Sequence, residues 1–184
     1  MSPILVRPVR EQLEHDRIIR LLQTKLRRRY DASINPGAEQ NAPVRAGNGS
    51  LYPDVLLYSQ DRGRRLQAIV EVETGESVNH LEALAQWAAF GKLRADFHLY
   101  VPANMVDVAR RLCEGNQIRV NEIWSYHLVG DQFRFTLMHR SRESAPAVPR
   151  PARRPDAARA PQRKAARAAK SARAQKSTSR QKRR

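Results

Sequence analysis

The spacing of apolar residues near the start of the chain predicts a helix over residues 9–29. Apolar side chains recur there every three to four positions, which places them on one helix face. Ile18, Leu22 and Leu26 lie on that face. Glu11 lies on it as well, and a carboxylate on an apolar face is costly to bury unless it has a partner.

Strands dominate the prediction after this helix. Short runs rich in β-branched and aromatic residues, separated by Gly, Pro and Asn, are typical of strands joined by turns. The predicted strands lie at 30–35, 51–59, 65–73, 96–101, 118–128 and 132–138, with turns at 60–64 and Gly130-Asp131 and a loop at 36–50. Two more helices are predicted, at 78–93 with Ser77 as N-cap and from Pro102 to Gly115. This order predicts an α/β fold, a mixed β-sheet flanked by helices.

The strands at 51–59 and 65–73 are close enough in the chain to pair as a β-hairpin. Side chains alternate between the two faces of a strand, so such pairing places every second residue of both strands on a common face. The side chains that we expect to be mostly buried are those of Tyr52, Val55, Leu57, Ile69, Val70 and Val72.

Charge divides the 184-residue chain near Arg140. Residues 1–140 contain 19 Lys and Arg against 16 Asp and Glu, whereas residues 141–184 contain 15 against 2. All eleven aromatic residues precede position 141. A segment with so little apolar surface cannot offset the entropy of ordering its backbone. We therefore predict one domain over 1–140 and a disordered basic tail over 141–184.

The predicted tail has the chemistry of a nucleic-acid binder, and the alternative is a solubilising or targeting tail without a specific partner. Its Ala, Pro, Lys and Arg composition resembles the tails of bacterial histone-like proteins and linker histones. Cations spaced along a flexible chain neutralise phosphates without reading base sequence. It has no Trp, Phe or Leu to insert into lipid, so we expect no membrane partner. The candidate phosphate-binding residues are Arg153, Arg154, Arg163, Lys164, Arg167, Lys170, Arg173, Lys176, Lys182, Arg183 and Arg184.

The remaining composition excludes several classes of protein. One cysteine supports neither an internal disulfide nor a zinc cluster. No apolar run in the sequence reaches the ~18–20 residues that span a bilayer. The first ten residues lack the apolar region of a signal peptide, and acidic residues follow soon after them. We expect a cytoplasmic protein, associated with the nucleoid if it is bacterial.

Three carboxylates lie on the predicted hairpin. Asp54 comes early in its first strand, while Glu71 and Glu73 are two residues apart on its second and leave the same face. Clustered like charges repel, and a bound cation relieves that repulsion. Carboxylate oxygens suit Mg²⁺ or Mn²⁺. The alternative is a solvent-facing strand edge on which Glu alternates with Val.

The hairpin also carries a family resemblance. Pro53-Asp54, followed seventeen residues later by Glu71-Val72-Glu73, resembles the signature of the PD-(D/E)xK nuclease superfamily, which has the restriction-endonuclease-like fold. The resemblance extends over roughly residues 9–101, where the predicted order α–β–β–β–α–β is that of the family core. It implies metal-dependent hydrolysis of nucleic-acid phosphodiester bonds, with 5′-phosphate products.

The resemblance also implies roles for individual residues. Asp54 and Glu71 would hold the catalytic metal, and the carbonyl of Val72 would be a further ligand. Glu73 stands where the family usually has lysine, as it does in some restriction enzymes. There it would orient or deprotonate the attacking water, or bind a second metal.

Two further residues are candidates for a supporting role. Glu11 corresponds to a metal-binding or site-shaping glutamate on the first helix of some subfamilies, and Glu14 is equally eligible. The segment Gln86-Trp87-Ala88-Ala89-Phe90 resembles the Q-h-x-x-Y helix motif of RecB-like nucleases, with Phe in place of Tyr. In that motif Gln86 would face the site. The alternative is an amphipathic helix whose aromatic residues pack in the core.

The leading interpretation is a metal-dependent nuclease that hydrolyses DNA phosphodiester bonds with Mg²⁺ or Mn²⁺. The alternative is a catalytically inactive nuclease fold that binds nucleic acid or associates with the chromosome, and the absent lysine favours it. Lesser candidates for the site are His15, His80 and Lys92, the last as a displaced catalytic lysine. A lone histidine, however, more often packs or caps.

Overall fold

A computed structural model describes residues 8–141 of the protein, all of which lie in one unit, Met1–Ala147. The first helix is α1 (Val9–Leu26) and the last is α3 (Val106–Gly115). Between them, α2 consists of three consecutive pieces: an α-helical turn at His80–Glu82, a π-helical turn at Ala83–Trp87 and an α-helical turn at Ala88–Phe90. The strands are β1 (Asp31–Ile34), β2 (Val44–Ala46), β3 (Gly49–Leu51), β4 (Val55–Tyr58), β5 (Leu66–Val72), β6 (Asp96–Pro102), β7 (Glu122–Val129) and β8 (Gln132–Arg140). A 3₁₀ turn, Ala103–Met105, precedes α3. Apart from Ser141, the predicted tail and its candidate phosphate-binding residues lie outside the described residues.

Six strands form one mixed sheet in the order β1-β4-β5-β6-β7-β8. The pairs β5–β6 and β6–β7 are parallel, and the other neighbours are antiparallel. The chain crosses from β5 to β6 through α2 and from β6 to β7 through α3. Parallel neighbours require such crossovers, because a tight turn joins only antiparallel strands.

Apolar side chains pack on both faces of this sheet. On one face, Ile18, Ile19 and Leu22 of α1 form a cluster with Val70 and other strand residues. On the opposite face, α2 and α3 cover a second cluster that contains Trp87, Phe97 and Cys113. Burial raises the pKa of the Cys113 thiol to about 12, as expected of a small apolar core residue. The predicted fold class, a mixed sheet flanked by helices, is confirmed.

The central hairpin is confirmed in detail. β4 and β5 are antiparallel, with Val55 opposite Val70, and Arg64 N–H donates to the carbonyl of Asp61 at the turn. Five of the six side chains expected in the core are buried. Tyr52 is half-exposed instead, because the regular strand begins only at Val55.

Three local predictions are wrong. The loop predicted over 36–50 contains the hairpin β2–β3, whose strands of three residues are too short to give a periodic signal. Asn79, not Ser77, caps α2 through its side-chain oxygen, because the Ser77 hydroxyl already accepts the N–H of Thr74. Residues 118–121 do not belong to β7, which starts at Glu122.

Candidate active site

The β4–β5 ladder brings Asp54 and Glu71 side by side. Val55 pairs with Val70, and one step further along the ladder Asp54 lies opposite Glu71. The backbone N–H of Asp54 donates to Glu71 Oε2 at 3.3 Å. Both residues are buried, Asp54 at 7% and Glu71 at 4% exposed. The hairpin therefore places two of the three predicted carboxylates at one buried position.

The two carboxylate oxygens of Asp54 have different surroundings. Oδ2 accepts the N–H of Val72 at 2.7 Å and lies 3.1 Å from Nε2 of His15 on α1. Oδ1 has no hydrogen-bond partner among residues 8–141, and no fully buried side-chain N or O atom in that range lacks one, so Oδ1 reaches solvent. Asp54 is thus held in place through Oδ2, while Oδ1 is accessible from solvent.

His15 connects α1 to this site. It is 2% exposed, and its Nδ1 lies 3.2 Å from Asp16 Oδ1 while its Nε2 faces Asp54. Asp16 Oδ1 is itself fixed by the side-chain amide of Gln12 and the N–H of Gly37. His15 was only a lesser candidate from the sequence, yet it makes the contact between the first helix and the carboxylate pair.

Asn35, at the end of β1, holds the segment before β4. Its side-chain amide donates to the carbonyls of Pro53 and Ala42, and its backbone N–H donates to the carbonyl of Asp54. Asn35 could not be singled out from the sequence, because an asparagine beside Pro and Gly is the ordinary composition of a turn. The structure shows that it fixes the backbone on which Asp54 sits.

Glu73 lies on the α2 side of the site. The residue is fully buried, and its Oε1 accepts the indole N–H of Trp87 at 2.7 Å. The backbone of Glu73 is held by two tyrosines. Its carbonyl accepts the hydroxyl of Tyr126 at 2.7 Å, and its N–H donates to the backbone carbonyl of Tyr100. Burial raises the pKa of the Tyr100 hydroxyl far above its usual value, so that group stays protonated.

The two predicted supporting residues differ in position. Glu11 Oε2 accepts the hydroxyl of Thr74 at 2.7 Å, so α1 reaches the residue that follows Glu73. Gln86 is half-buried, and its side-chain amide has no hydrogen-bond partner among the described residues. In the Q-h-x-x-Y segment it is the neighbouring Trp87 that bonds to Glu73.

The remaining candidates lie elsewhere. His80 is exposed at the first residue of α2. Lys92, just after α2, is exposed and lies near Leu66, the first residue of β5, whereas Glu71 is near the end of that strand. Glu14 borders a separate cavity beside Pro102.

Asp54 and Glu71 fit a divalent cation by the type of their donor atoms. Within residues 8–141, no three His, Cys, Asp or Glu side chains form a group that could hold a metal ion. Mg²⁺, however, is often bound through one or two carboxylates, with water and a substrate phosphate as the other ligands. An open carboxylate oxygen of Asp54 beside Glu71 meets that requirement.

Comparison of the chain with protein-family models, with curated proteins and with solved structures finds no match. The nuclease resemblance therefore rests on the quoted residues and stays a prediction. Among the described helices, none is both long and apolar enough to cross a membrane.

Proposed function

We propose that the protein hydrolyses phosphodiester bonds of nucleic acid, DNA in the first place, with Mg²⁺ or Mn²⁺ at Asp54 and Glu71. We further propose that residues 1–140 have the restriction-endonuclease-like fold. The supporting observation is the buried carboxylate pair, which the β4–β5 hairpin builds from two residues of the family signature. A buried pair of carboxylates is unfavourable by itself and favours a cation between them.

The protein's own residues would position the reaction. Asp54 and Glu71 would hold the cation, with the Val72 carbonyl as a further ligand implied by the resemblance. When bound, the cation supplies Lewis-acid activation of water and of the phosphoryl oxygen. The Val72 N–H and His15 keep Asp54 in one orientation, in which Oδ1 is accessible to solvent.

Glu11 on α1 and Glu73 just after β5 are each held by a different residue. Glu11 is tied to Thr74, and Glu73 is tied to Trp87. The resemblance implies that Glu73 would act on the attacking water, and in the structure this residue is fully buried with Oε1 accepting the indole N–H of Trp87. A carboxylate at this position can take a proton from water, but it cannot supply the positive charge that a lysine would give.

A second candidate function is binding of nucleic acid without hydrolysis. The observation that favours it is Glu73 at the position of the usual lysine, buried against an indole N–H. Such a protein would keep the fold and use it as an interaction module or as a chromosome-associated protein. The basic tail would serve either function, and its residues Arg153 to Arg184 stay candidate phosphate contacts.

A cleavage assay separates the two functions. Purified protein is incubated with single-stranded, double-stranded and branched DNA in Mg²⁺, in Mn²⁺ and in EDTA. Metal-dependent cleavage is expected from the wild type and from Glu114→Gln, an exposed carboxylate control on α3, but not from Asp54→Asn. DNA binding without cleavage, together with no metal binding by calorimetry, would establish the binding module instead.

A further inference from the structure

A groove lies beside the hairpin β2–β3, which was not predicted from the sequence. It has a volume of about 660 Å³ and runs between β2 and the segment that follows α2. Gly91 allows this segment to pass close to the backbone of Arg119, since a Cβ at Gly91 would lie 2.9 Å from the Arg119 carbonyl oxygen. This close approach fixes the start of the segment whose next residues, Lys92 to Ala95, line the groove.

The charged residues of the groove are all basic. Arg45 comes from β2, and Lys92 and Arg94 come from the segment after α2. All three side chains are exposed, and no acidic residue lies among the described residues that line the groove. The adjacent Asp96 accepts the side-chain amide of Asn121. We call this site the basic groove.

The floor of the basic groove is apolar. Val44, Leu66 and Leu93 line it, and all three are half-buried and pack against the core cluster beneath. Such a floor fits the sugar and base edges of a ligand, while the cations fit its phosphates. An anion that combines both chemistries over an extended length is a nucleic-acid strand.

We propose that the basic groove binds a nucleic-acid strand at a distance from the carboxylate pair. Leu66 and Glu71 are five residues apart on β5, or about 17 Å at about 3.3 Å per residue. At about 3.4 Å per nucleotide of a strand, this is about five nucleotides. The groove would thus hold the same strand that Asp54 and Glu71 cleave, and in this respect it rests on the proposed function.

The first test is the salt dependence of binding in EDTA, where no metal-dependent cleavage occurs. The full-length groove variant carries Arg45→Gln, Lys92→Gln and Arg94→Gln. A control of equal charge carries Arg110→Gln, Arg111→Gln and Arg134→Gln, three exposed residues outside the groove. The probes are a labelled oligothymidine and a duplex of the same length, followed by fluorescence anisotropy.

Three lost phosphate contacts should lower the log–log salt slope by about 2 on the single strand and by about 3 on the duplex. The control should change either slope by less than half as much. A drop on the oligothymidine alone assigns the groove to single strands, and a drop on the duplex assigns it to double strands. Equal slopes for the groove variant and the control would overturn the proposal.

The second test needs no variant. Acetylation of lysine side chains in the wild type is followed by mass spectrometry, with and without saturating oligothymidine or duplex. Acetylation of Lys92 should slow severalfold with at least one probe, whereas that of Lys25, exposed on α1, should not. An unchanged Lys92 rate with both probes would overturn the proposal. If the salt slope falls in the groove variant and Lys92 is protected, but no cleavage is detected in the assay above, the proposed hydrolysis is wrong and the proposed binding by the groove stands.

Discussion

The carboxylate site (Asp54, Glu71 and Glu73) shares its types of side chain with a second cluster on strands β6, β7 and β8. In both, a tryptophan indole N–H donates to a buried glutamate at 2.7 Å, and a histidine lies near a carboxylate. We call the second group the Glu122 cluster, which consists of Glu122, His98, Trp124 and Arg140.

The two groups differ in how their carboxylate oxygens are used. Glu122 has both oxygens occupied, one by Arg140 Nε at 2.8 Å and the other by Trp124. Asp54 makes both of its side-chain contacts, with the Val72 N–H and with His15 Nε2, through Oδ2, and Oδ1 reaches solvent. A carboxylate whose oxygens are both satisfied is structural, whereas an open oxygen next to a second carboxylate is available for a ligand.

The largest effect should separate the two groups by activity. Asp54→Asn should lower metal-dependent cleavage more than about 100-fold, because even the outer partners of metal ligands are worth about 10–100-fold. Glu122→Gln should leave cleavage within a few-fold of wild type but lower the free energy of unfolding by about 1–2 kcal/mol, since Arg140 loses its anionic partner. Cleavage rates measure the effect on activity, and urea unfolding measures the effect on stability. Loss of cleavage by a folded Glu122→Gln protein would reverse the assignment.

Glu73→Lys tests whether the family's usual residue can be restored. The position is fully buried and faces the indole N–H of Trp87, so lysine would place an ammonium group against a donor. We expect a loss of about 3–5 kcal/mol in the free energy of unfolding, the range for an uncompensated buried charge.

Two controls accompany this variant. Glu76→Lys makes the same change of charge at an exposed residue and should cost less than about 0.5 kcal/mol. Glu73→Gln keeps an acceptor for Trp87 and should stay folded, with cleavage between those of wild type and Asp54→Asn if Glu73 orients water. A stable and more active Glu73→Lys protein would contradict the buried geometry.

Replacing each tryptophan by phenylalanine compares the two indole donors. Trp87→Phe removes the N–H from a fully buried carboxylate and should cost about 2–3 kcal/mol. Trp124→Phe should cost less than about 1 kcal/mol, because Glu122 keeps Arg140 in a partly exposed position. Chemical denaturation measures both. Equal costs would mean that the two glutamates are held in the same way.

The smallest effect concerns pH. Burial lowers the pKa of His98 below its usual value of 6.5, although Glu122 and Asp96 oppose this and Arg140 reinforces it. The unfolded chain therefore takes up a proton at a higher pH than the folded one, so this stability is present above about pH 6.5 and is lost as pH falls. Between about pH 7.5 and pH 5.5, wild type should lose more unfolding free energy than His98→Gln. Identical losses would show that His98 does not contribute.

Much of the fold could be predicted because it depends on short-range patterns. The face of α1, the β4–β5 hairpin and the turn at Gly130 follow from periodicity and turn chemistry, and all three are observed. The proximity of Asp54 and Glu71 follows as well, because the register of a hairpin is set by its turn and its apolar face. The hairpin β2–β3 could not be predicted, since strands of three residues carry no period.

The residues that contact the site from other elements could not be predicted from the sequence. His15 and Asp54 are 39 positions apart, Glu11 and Thr74 are 63 apart, and Tyr126 and Glu73 are 53 apart. Each contact depends on which face of the sheet a helix covers and on which strand lies next to β5. Those choices come from packing of the whole core, which no local pattern specifies.

The sequence by itself determined the order of the helices and of the six strands of the main sheet, the central hairpin and the pair of acidic residues on it, because these depend on neighbours in the chain. Only the tertiary structure decided that one oxygen of Asp54 is held by His15 and the Val72 N–H while the other stays open, and that Glu73 turns toward Trp87. It also decided that Arg45 and Lys92, 47 positions apart in the sequence, meet in one groove. The physical reason is that burial and hydrogen-bond satisfaction are properties of the assembled core.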